Sequence, residues 1–281
     1  MPSRSNLDHV VVAMRAQADA LRAGRAQARR ARDPEAVHRM RVAVRRLRAI
    51  LRASRSLLAE DATAGLRREL RWLGVALGRV RDLDVLRMQL RAQIGDRSAR
   101  GPAARHLQRH LAADRARAVS ALRTALDGPR YARLLARVDA ALAAPLVGTD
   151  DASLADLAGA EFDELRRAVK RLPKHPSGAE LHAIRIKVKH ARYAAELAQP
   201  EVGRRAERFV ERAKALQAIL GAHQDAVVAE RYVRRAAGKG RADRALARQI
   251  AAGEGERRAE AREAFVAQWP KLKRRGRRAW D

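Results

Sequence analysis

A basic sequence pattern occurs twice in this chain of 281 residues. Residues 37–48 read VHRMRVAVRRLR, and residues 181–192 read LHAIRIKVKHAR, so both contain H-x-x-R-[VI]-x-V-[RK]-x-x-R. A second pair of related segments, 77–82 and 220–225, follows the two copies at nearly the same distance along the chain. Two motifs that recur in the same order predict an internal duplication of one structural unit.

Composition predicts that this unit is helical. Ala, Arg, Leu and Glu dominate, and these residues lose little rotamer freedom in a helix. The chain has only three Phe, three Tyr and three Trp, so the aromatic residues that favour sheets are scarce. Turn and capping residues, such as Asp33 followed by Pro34, divide the chain into helices predicted at roughly 6–32, 35–58, 62–94, 103–126, 130–144, 154–172, 179–199, 202–237 and 241–269.

The predicted fold class is all-α, with two pseudo-symmetric four-helix bundles that form a single domain over residues 1–281. A linker at 145–151 separates a first half, residues 1–145, from a second half, residues 151–270. Residues 271–281 contain six cations and are predicted to form a flexible basic tail.

Charge is the other dominant property of the sequence. The 61 Lys and Arg residues outnumber the 32 Asp and Glu residues, which gives a formal net charge of +29. Such a chain repels itself unless it meets an anionic partner, and nucleic acid, anionic membrane and polyphosphate are the leading candidates. An Arg-rich proteome from a GC-rich genome is the alternative explanation of the high positive charge. The placement of the charges along the helices decides between the two explanations.

The charges of the first repeated segment form one stripe. At about 100° per residue, the cationic positions fall on one helix face and Met40, Val44 and Leu47 fall on the opposite face. Residues 37–52 contain six Arg and no acid, whereas a solvated helix usually alternates charge signs. The stripe consists of His38, Arg41, Arg45, Arg48 and Arg52.

The second segment repeats the stripe, and the helix after each copy extends it. In the second half Glu196 stands where the first half has Arg52, so the second stripe is weaker. The predicted anion-binding residues there are His182, Arg185, Lys189 and Arg192, and the following helices add Arg67, Arg71 and Arg81 in the first half and Lys214 in the second.

These residues resemble the motifs of the CHAD family, also described as the histidine α-helical domain, over nearly the whole chain. The resemblance rests on the two stripes, on Leu77-Gly78 and Leu220-Gly221, and on Asp82 and Asp225. It implies two pseudo-symmetric bundles around a shared basic cavity that binds inorganic polyphosphate, and association with polyphosphate granules. Because carboxylates repel an anion, the two aspartates are assigned a supporting role in orienting His38 or the arginines.

Enzymatic and metal-dependent readings find less support in the sequence. Gly238-Lys239 lacks the glycine spacing and the Ser or Thr of a phosphate-binding loop. His106 and His110 have the i,i+4 spacing of a zinc pair but lack an evident third ligand. We therefore expect a protein that is not an enzyme and has no cofactor or metal, although an accidental phosphatase activity stays open.

Nucleic acid is the alternative partner. Long basic helices and the cations of residues 271–281 could bind DNA or RNA phosphates weakly and without sequence specificity. Few aromatic side chains are present to stack on bases, which favours polyphosphate. The short apolar run at residues 10–14 is not a signal sequence, no run is long enough to span a membrane, and the chain has no Cys, so we expect a cytoplasmic protein.

Overall fold

The structure is a computed structural model that describes residues 4–58, 60–98, 101–143 and 153–281. Its described residues lie in helices and short connections, without a strand, as the composition predicts. The predicted linker at 145–151 lies outside the described residues. The helices are α1 Arg4–Arg30, α2 Pro34–Ala53, α3 Glu60–Ser98, α4 Pro102–Asp127, α5 Pro129–Ala143, α6 Leu154–Lys170, α7 Gly178–Leu197, α8 Gln199–Val202, α9 Arg204–Ala236 and α10 Arg241–Trp280.

Side-chain caps fix where several helices begin. The Asp33 carboxylate accepts a hydrogen bond from the backbone N–H of Glu35 at 2.9 Å, and Pro34 occupies the first position of α2. Ser177 and Glu180 form a capping box at the start of α7. Since each cap satisfies backbone donors that have no partner within the helix, these contacts set the register of the two helices that carry the repeated stripes.

The helices pack in the same order in both parts of the chain. In the first part α1 contacts α2, α2 contacts α3, α3 contacts α4, and α4 returns to α1. In the second part α6, α7, α9 and α10 repeat these contacts in the same order. Across the two parts α2 contacts α7, α3 contacts α9 and α4 contacts α10. An origin by duplication stays a prediction.

Three apolar clusters hold the helices together. The first lies mainly among α1 to α5, around Leu47 and Leu77, and it extends to α6 and α7 through residues such as Ala158 and Ala194. The second lies among α6, α7, α9 and α10 around Phe209. The third joins the end of α3 and the start of α4 to the end of α9 and the start of α10, through residues such as Leu90 and Ile250. Burying one such side chain contributes roughly 1.5–3 kcal/mol. Because the first and third clusters both contain residues of the two halves, they hold the halves together.

The predicted flexible tail is wrong. Helix α10 does not end at Trp269 but continues through Pro270 to Trp280. Leu272 is 1% exposed, and Trp280 lies 5.9 Å from the ring of Phe209, so this segment packs on the second cluster. The apolar face continues beyond the proline, and its burial outweighs the hydrogen bond that proline cannot donate.

None of the helices in the described ranges is long and apolar enough to cross a membrane.

Candidate functional site

One cavity, which we call the central cleft, is lined by Arg41 of the first repeated stripe and by His182, Arg185 and Lys189 of the second. Helices α2 and α7 are neighbours, and α3 and α9 flank them, so the motifs of both halves face a shared space of about 280 Å³. The cleft therefore has the convergent arrangement of basic faces that the sequence predicts. Its walls are formed by Arg41, Asp82, Val85, Leu86, Gln89, His182, Arg185, Lys189, Gln224, Asp225 and Val228.

On the first-half side of the cleft, Arg41 is already paired. Its Nη2 donates to Oδ1 of Asp82 at 3.3 Å, which is the orienting contact expected of that aspartate. The Arg41 guanidinium lies against Gly78 of α3, where an added Cβ would overlap its Nη1. Glycine at this position thus allows the arginine to lie flat against α3 beside Asp82.

On the second-half side, Arg185 is more deeply buried and less well partnered. Burial lowers the pKa of its guanidinium, and the charge of Asp225 opposes that shift. Burial also raises the pKa of Asp225, with Arg185 acting in the opposite direction. Among the described residues Arg185 forms no ion pair with a carboxylate, and its Nε is buried without a hydrogen-bond partner. An anion with several oxygens would satisfy this donor.

Lys189 is the cation most perturbed by the cleft. Burial lowers the pKa of its ammonium group to about 7, and the charges of Arg185, Arg45 and Arg41 add to the shift. A lysine with such a pKa is only partly charged near neutrality. Because Arg41 and Arg45 come from α2, the shift also reflects how closely the cations of the two halves approach each other.

The basic surface continues from the cleft along α2 and α3. The pKa of Arg48 is lowered by partial burial and then by the charges of Arg71 and Arg41. The pKa of His38 is lowered by burial and then mainly by Arg81, while Arg81 itself donates to Glu35 at 3.4 Å. The predicted residues that lie together on this first-half surface are His38, Arg41, Arg45, Arg48, Arg71 and Arg81.

Two predicted binding arginines are instead held by side chains outside the cleft. Arg52 donates to Glu161 of α6 at 3.1 Å, so it joins two helices. Arg192 is buried, 4.3 Å from the ring of Tyr193 and 3.6 Å from Glu196. Spacing within one helix identified their face but not these neighbours, and neither arginine is a lining residue of the cleft.

Arg67 and Lys214 also lie elsewhere. Arg67 donates to the hydroxyl of Thr63 at 2.9 Å. Lys214 is exposed and borders a different cavity of about 300 Å³ with Arg46, Glu196 and Tyr193.

Sequence reasoning missed part of the cleft wall. Gln89 lies one heptad after Asp82 on α3, a spacing that could have revealed their common face. Its amide also donates to Glu254 at 2.7 Å, a fully buried carboxyl group whose pKa is raised by burial. Gln89 thus connects the cleft to a buried polar contact with α10.

The two histidines considered as a zinc pair make an aromatic contact. The rings of His106 and His110 lie 4.7 Å apart in an edge-to-face arrangement. Within the described ranges, no group of three or more His, Cys, Asp or Glu side chains is placed to hold a metal ion.

Comparison with known proteins matches residues 12–234 to the CHAD domain. Two uncharacterized proteins from strains of Mycobacterium tuberculosis, MT2285 and Rv2226, are each 30% identical over 210 residues. The match covers 71% of this chain but only 40% of either relative, so the chain spans well under half of their length.

Two solved structures share the fold. PptA from Streptomyces chartreusis is 27% identical with a TM-score of 0.76, and the match covers 94% of this chain and 98% of that one. The CHAD domain from the plant Ricinus communis is 25% identical with a TM-score of 0.66, over 98% of this chain and 92% of that one. The family match includes both repeated stripes and most of the helices that form the cleft, and the chain therefore belongs to the CHAD domain family.

Proposed function

We propose that this protein binds inorganic polyphosphate in the central cleft, does not cleave it, and associates through it with polyphosphate granules in the cytoplasm. The observation that carries the proposal is the convergence of Arg41, Arg185 and Lys189 from two halves of the chain on one cavity. Family membership supports a polyphosphate-related role.

The size and lining of the cleft favour a narrow anionic chain. A volume of about 280 Å³ is close to the lower end of ordinary ligand pockets, which excludes a double helix from the interior. None of its lining residues is Phe, Tyr or Trp, so His182 is the single aromatic ring among them on which a base could stack. A chain of phosphates needs charge and hydrogen-bond donors, which these side chains supply.

The carboxylates of the cleft support binding without cleavage. Asp82 accepts a hydrogen bond from Arg41. Burial raises the pKa of Asp225, which favours the neutral form of its carboxyl group. A Mg²⁺-dependent phosphatase needs ionised carboxylates that share a metal ion. A phosphate-release assay with Mg²⁺ tests this part of the proposal, and turnover that disappears on replacing Asp82 and Asp225 with Asn would overturn it.

Equilibrium binding to long-chain polyphosphate at fixed salt tests the site. The variant replaces Arg41, Arg45, Arg185 and Lys189 with Ala, and each lost charge-assisted contact is worth roughly 1.5–3 kcal/mol. We expect the affinity for polyphosphate to fall by at least about a hundredfold. Granule association of the same variant, measured by fluorescence microscopy in cells, should be lost as well.

The matched control replaces four exposed arginines that line no described cavity, Arg32, Arg133, Arg241 and Arg248, with Ala. It removes the same formal charge and should weaken binding by less than about tenfold, through the loss of long-range attraction alone. Equal losses in the two variants would assign binding to net charge. In a competition experiment, duplex DNA and unlabelled polyphosphate can each displace bound polyphosphate. Equal displacement by the two competitors would favour the nucleic-acid alternative.

A further inference from the structure

A second cationic cavity lies at the far end of α9. It is a groove of about 310 Å³ between the start of α9 and the last turns of α10, and we call it the arginine groove. All its lining residues are arginines: Arg205, Arg208, Arg275 and Arg278. Two of them belong to the segment that the sequence predicted to be a flexible tail.

The four guanidinium groups have no carboxylate partner in the described structure. None of them forms an ion pair, whereas other surface arginines such as Arg29 and Arg130 are paired with Asp127 and Glu69. Glu207 lies between Arg205 and Arg208 in sequence but does not line the groove. Three of the four arginines are exposed, so water and salt screen their mutual repulsion, and a bound anion would neutralise the charge that remains.

The groove is built on rigid elements. Phe209 of α9 is fully buried next to Arg208 in sequence, and Leu272 and Gly276 of α10 are buried on either side of Arg275. Gly276 lies so close to the ring of Phe162 that an added Cβ would overlap it. Since both backbones are fixed by this packing, only the four arginine side chains have to be ordered when a ligand binds.

The arginine groove is separate from the central cleft. The two share no lining residue. Along α9, Arg208 and Gln224 are sixteen residues apart, which corresponds to about 24 Å at 1.5 Å per residue. Each cavity can therefore hold its own stretch of ligand.

We propose that the arginine groove is a second phosphate-binding site that takes a segment of a polyphosphate chain. The lining carries four guanidinium groups and no carboxylate, which fits a ligand made of phosphate groups, because each planar guanidinium can donate to two phosphate oxygens. The choice of polyphosphate rests on the function proposed for the cleft. With two sites, one long chain can connect two protein molecules, and one protein molecule can hold two chains.

Isothermal titration calorimetry with tripolyphosphate tests the second site, because so short a chain cannot reach from one cavity to the other. The groove variant carries Arg205→Gln, Arg208→Gln, Arg275→Gln and Arg278→Gln. The cleft variant carries Ala at Arg41, Arg45, Arg185 and Lys189. We expect two tripolyphosphates per wild-type protein and one per molecule of either variant.

A control variant with Gln at Arg32, Arg133, Arg241 and Arg248 should keep both sites, since it removes the same charge from exposed positions outside the two cavities. Thermal unfolding checks that each variant is folded. Suppose that the wild type binds one tripolyphosphate, the groove variant also binds one, and the cleft variant binds none. This result would overturn the second site and leave the proposed function standing. If the wild type and the cleft variant each bind one tripolyphosphate and the groove variant binds none, the proposed function of the cleft is overturned instead.

Light scattering with long-chain polyphosphate gives an independent readout. The wild-type protein should form large assemblies, because a protein with two sites can cross-link two chains. The assemblies should be largest when the number of protein sites matches the number of chain segments that can fill them. The groove variant should still bind but remain in smaller complexes. Assemblies of equal size for both proteins would contradict a role of the groove in connecting chains.

Discussion

The two sides of the central cleft carry the same sequence pattern but different electrostatics. Arg41 is 31% exposed and donates to Asp82, which is itself 63% exposed. Arg185 is desolvated, and its Nε has no hydrogen-bond partner among the described residues. A desolvated cation without an ion pair gains more from an incoming anion than one that is already neutralised and open to water. We therefore expect the second half to contribute more to the proposed binding of an anion, although its stripe has fewer arginines.

The largest single-residue effect is therefore expected at Arg185. Replacing Arg185 with Ala should lower the affinity for polyphosphate by about 10- to 100-fold, because a buried charge-assisted contact is lost. Replacing Arg41 with Ala should lower it by about threefold to tenfold, since Asp82 already neutralises part of that charge. Fluorescence binding titrations at one salt concentration measure both. Equal losses, or a larger loss for Arg41, would break the comparison.

The next effect is the pH dependence that Lys189 brings to the second-half side. With a pKa near 7 in the free cleft, Lys189 loses its charge as the pH rises, whereas a bound anion holds the proton. Affinity should fall by roughly tenfold between pH 6 and pH 8.5. In a Lys189→Arg variant, which stays charged throughout, the pH slope should be much flatter. Polyphosphate also titrates, but it affects binding to both proteins equally. An identical pH slope for the two proteins would therefore rule out Lys189 as the cause of the slope.

The same pKa has a consequence for folding. Because the ammonium pKa is 10.5 in an ordinary environment and about 7 in the cleft, the unfolded chain binds this proton more tightly than the folded protein does. The destabilising contribution of Lys189 is fully present below pH 7 and is relieved as the pH rises towards 10.5. The stability of a Lys189→Met variant, followed by urea unfolding, should therefore exceed that of the wild type by more at pH 6 than at pH 9.

A smaller effect should distinguish the two motif glycines. In Gly78→Ala the new Cβ would overlap Nη1 of Arg41 and displace this guanidinium from the cleft wall, while the negative charge of Asp82 would stay there, so affinity should fall by about twofold to fivefold. In Gly221→Ala the nearest Arg185 atoms would be 3.8 Å away, an ordinary contact, so affinity should not change. Alanine raises helix propensity by about 1 kcal/mol, so neither variant should lose thermal stability. A larger affinity loss in Gly221→Ala would reverse the order.

The smallest effect is expected for Asp82→Asn. This change removes a negative charge from the rim of the cleft and frees Arg41, so affinity for polyphosphate should rise by at most about threefold at low salt. The gain should shrink at higher ionic strength because both side chains are exposed to solvent. A loss of affinity would mean that holding Arg41 in place matters more than the charge of the aspartate.

The sequence predicted most of the fold because local signals agreed along the chain. The cap at Asp33 and the apolar positions of α2 and α7 fixed the helix positions and the faces that they bury. The predicted end of α10 at Trp269 was wrong because Pro270 resembles a helix stop signal. Only the packing of Leu272 and Trp280 against the second cluster shows why the helix continues.

The candidate site was predictable to the extent that it depends on helix periodicity. Spacing placed Arg41, Arg185 and Lys189 on comparable faces, and the contact between α2 and α7 brought these faces together. It could not show that Arg52 meets Glu161, because that partner lies on a different helix. The degree of burial, which separates Arg185 from Arg41, likewise depends on tertiary packing.

A crystal structure of the protein with bound polyphosphate would test the central claim most directly. One continuous chain of phosphate density should occupy the central cleft, with oxygens about 3 Å from guanidinium nitrogens of both Arg41 and Arg185. Polyphosphate bound only on outer surfaces, with the cleft free of phosphate, would contradict the account.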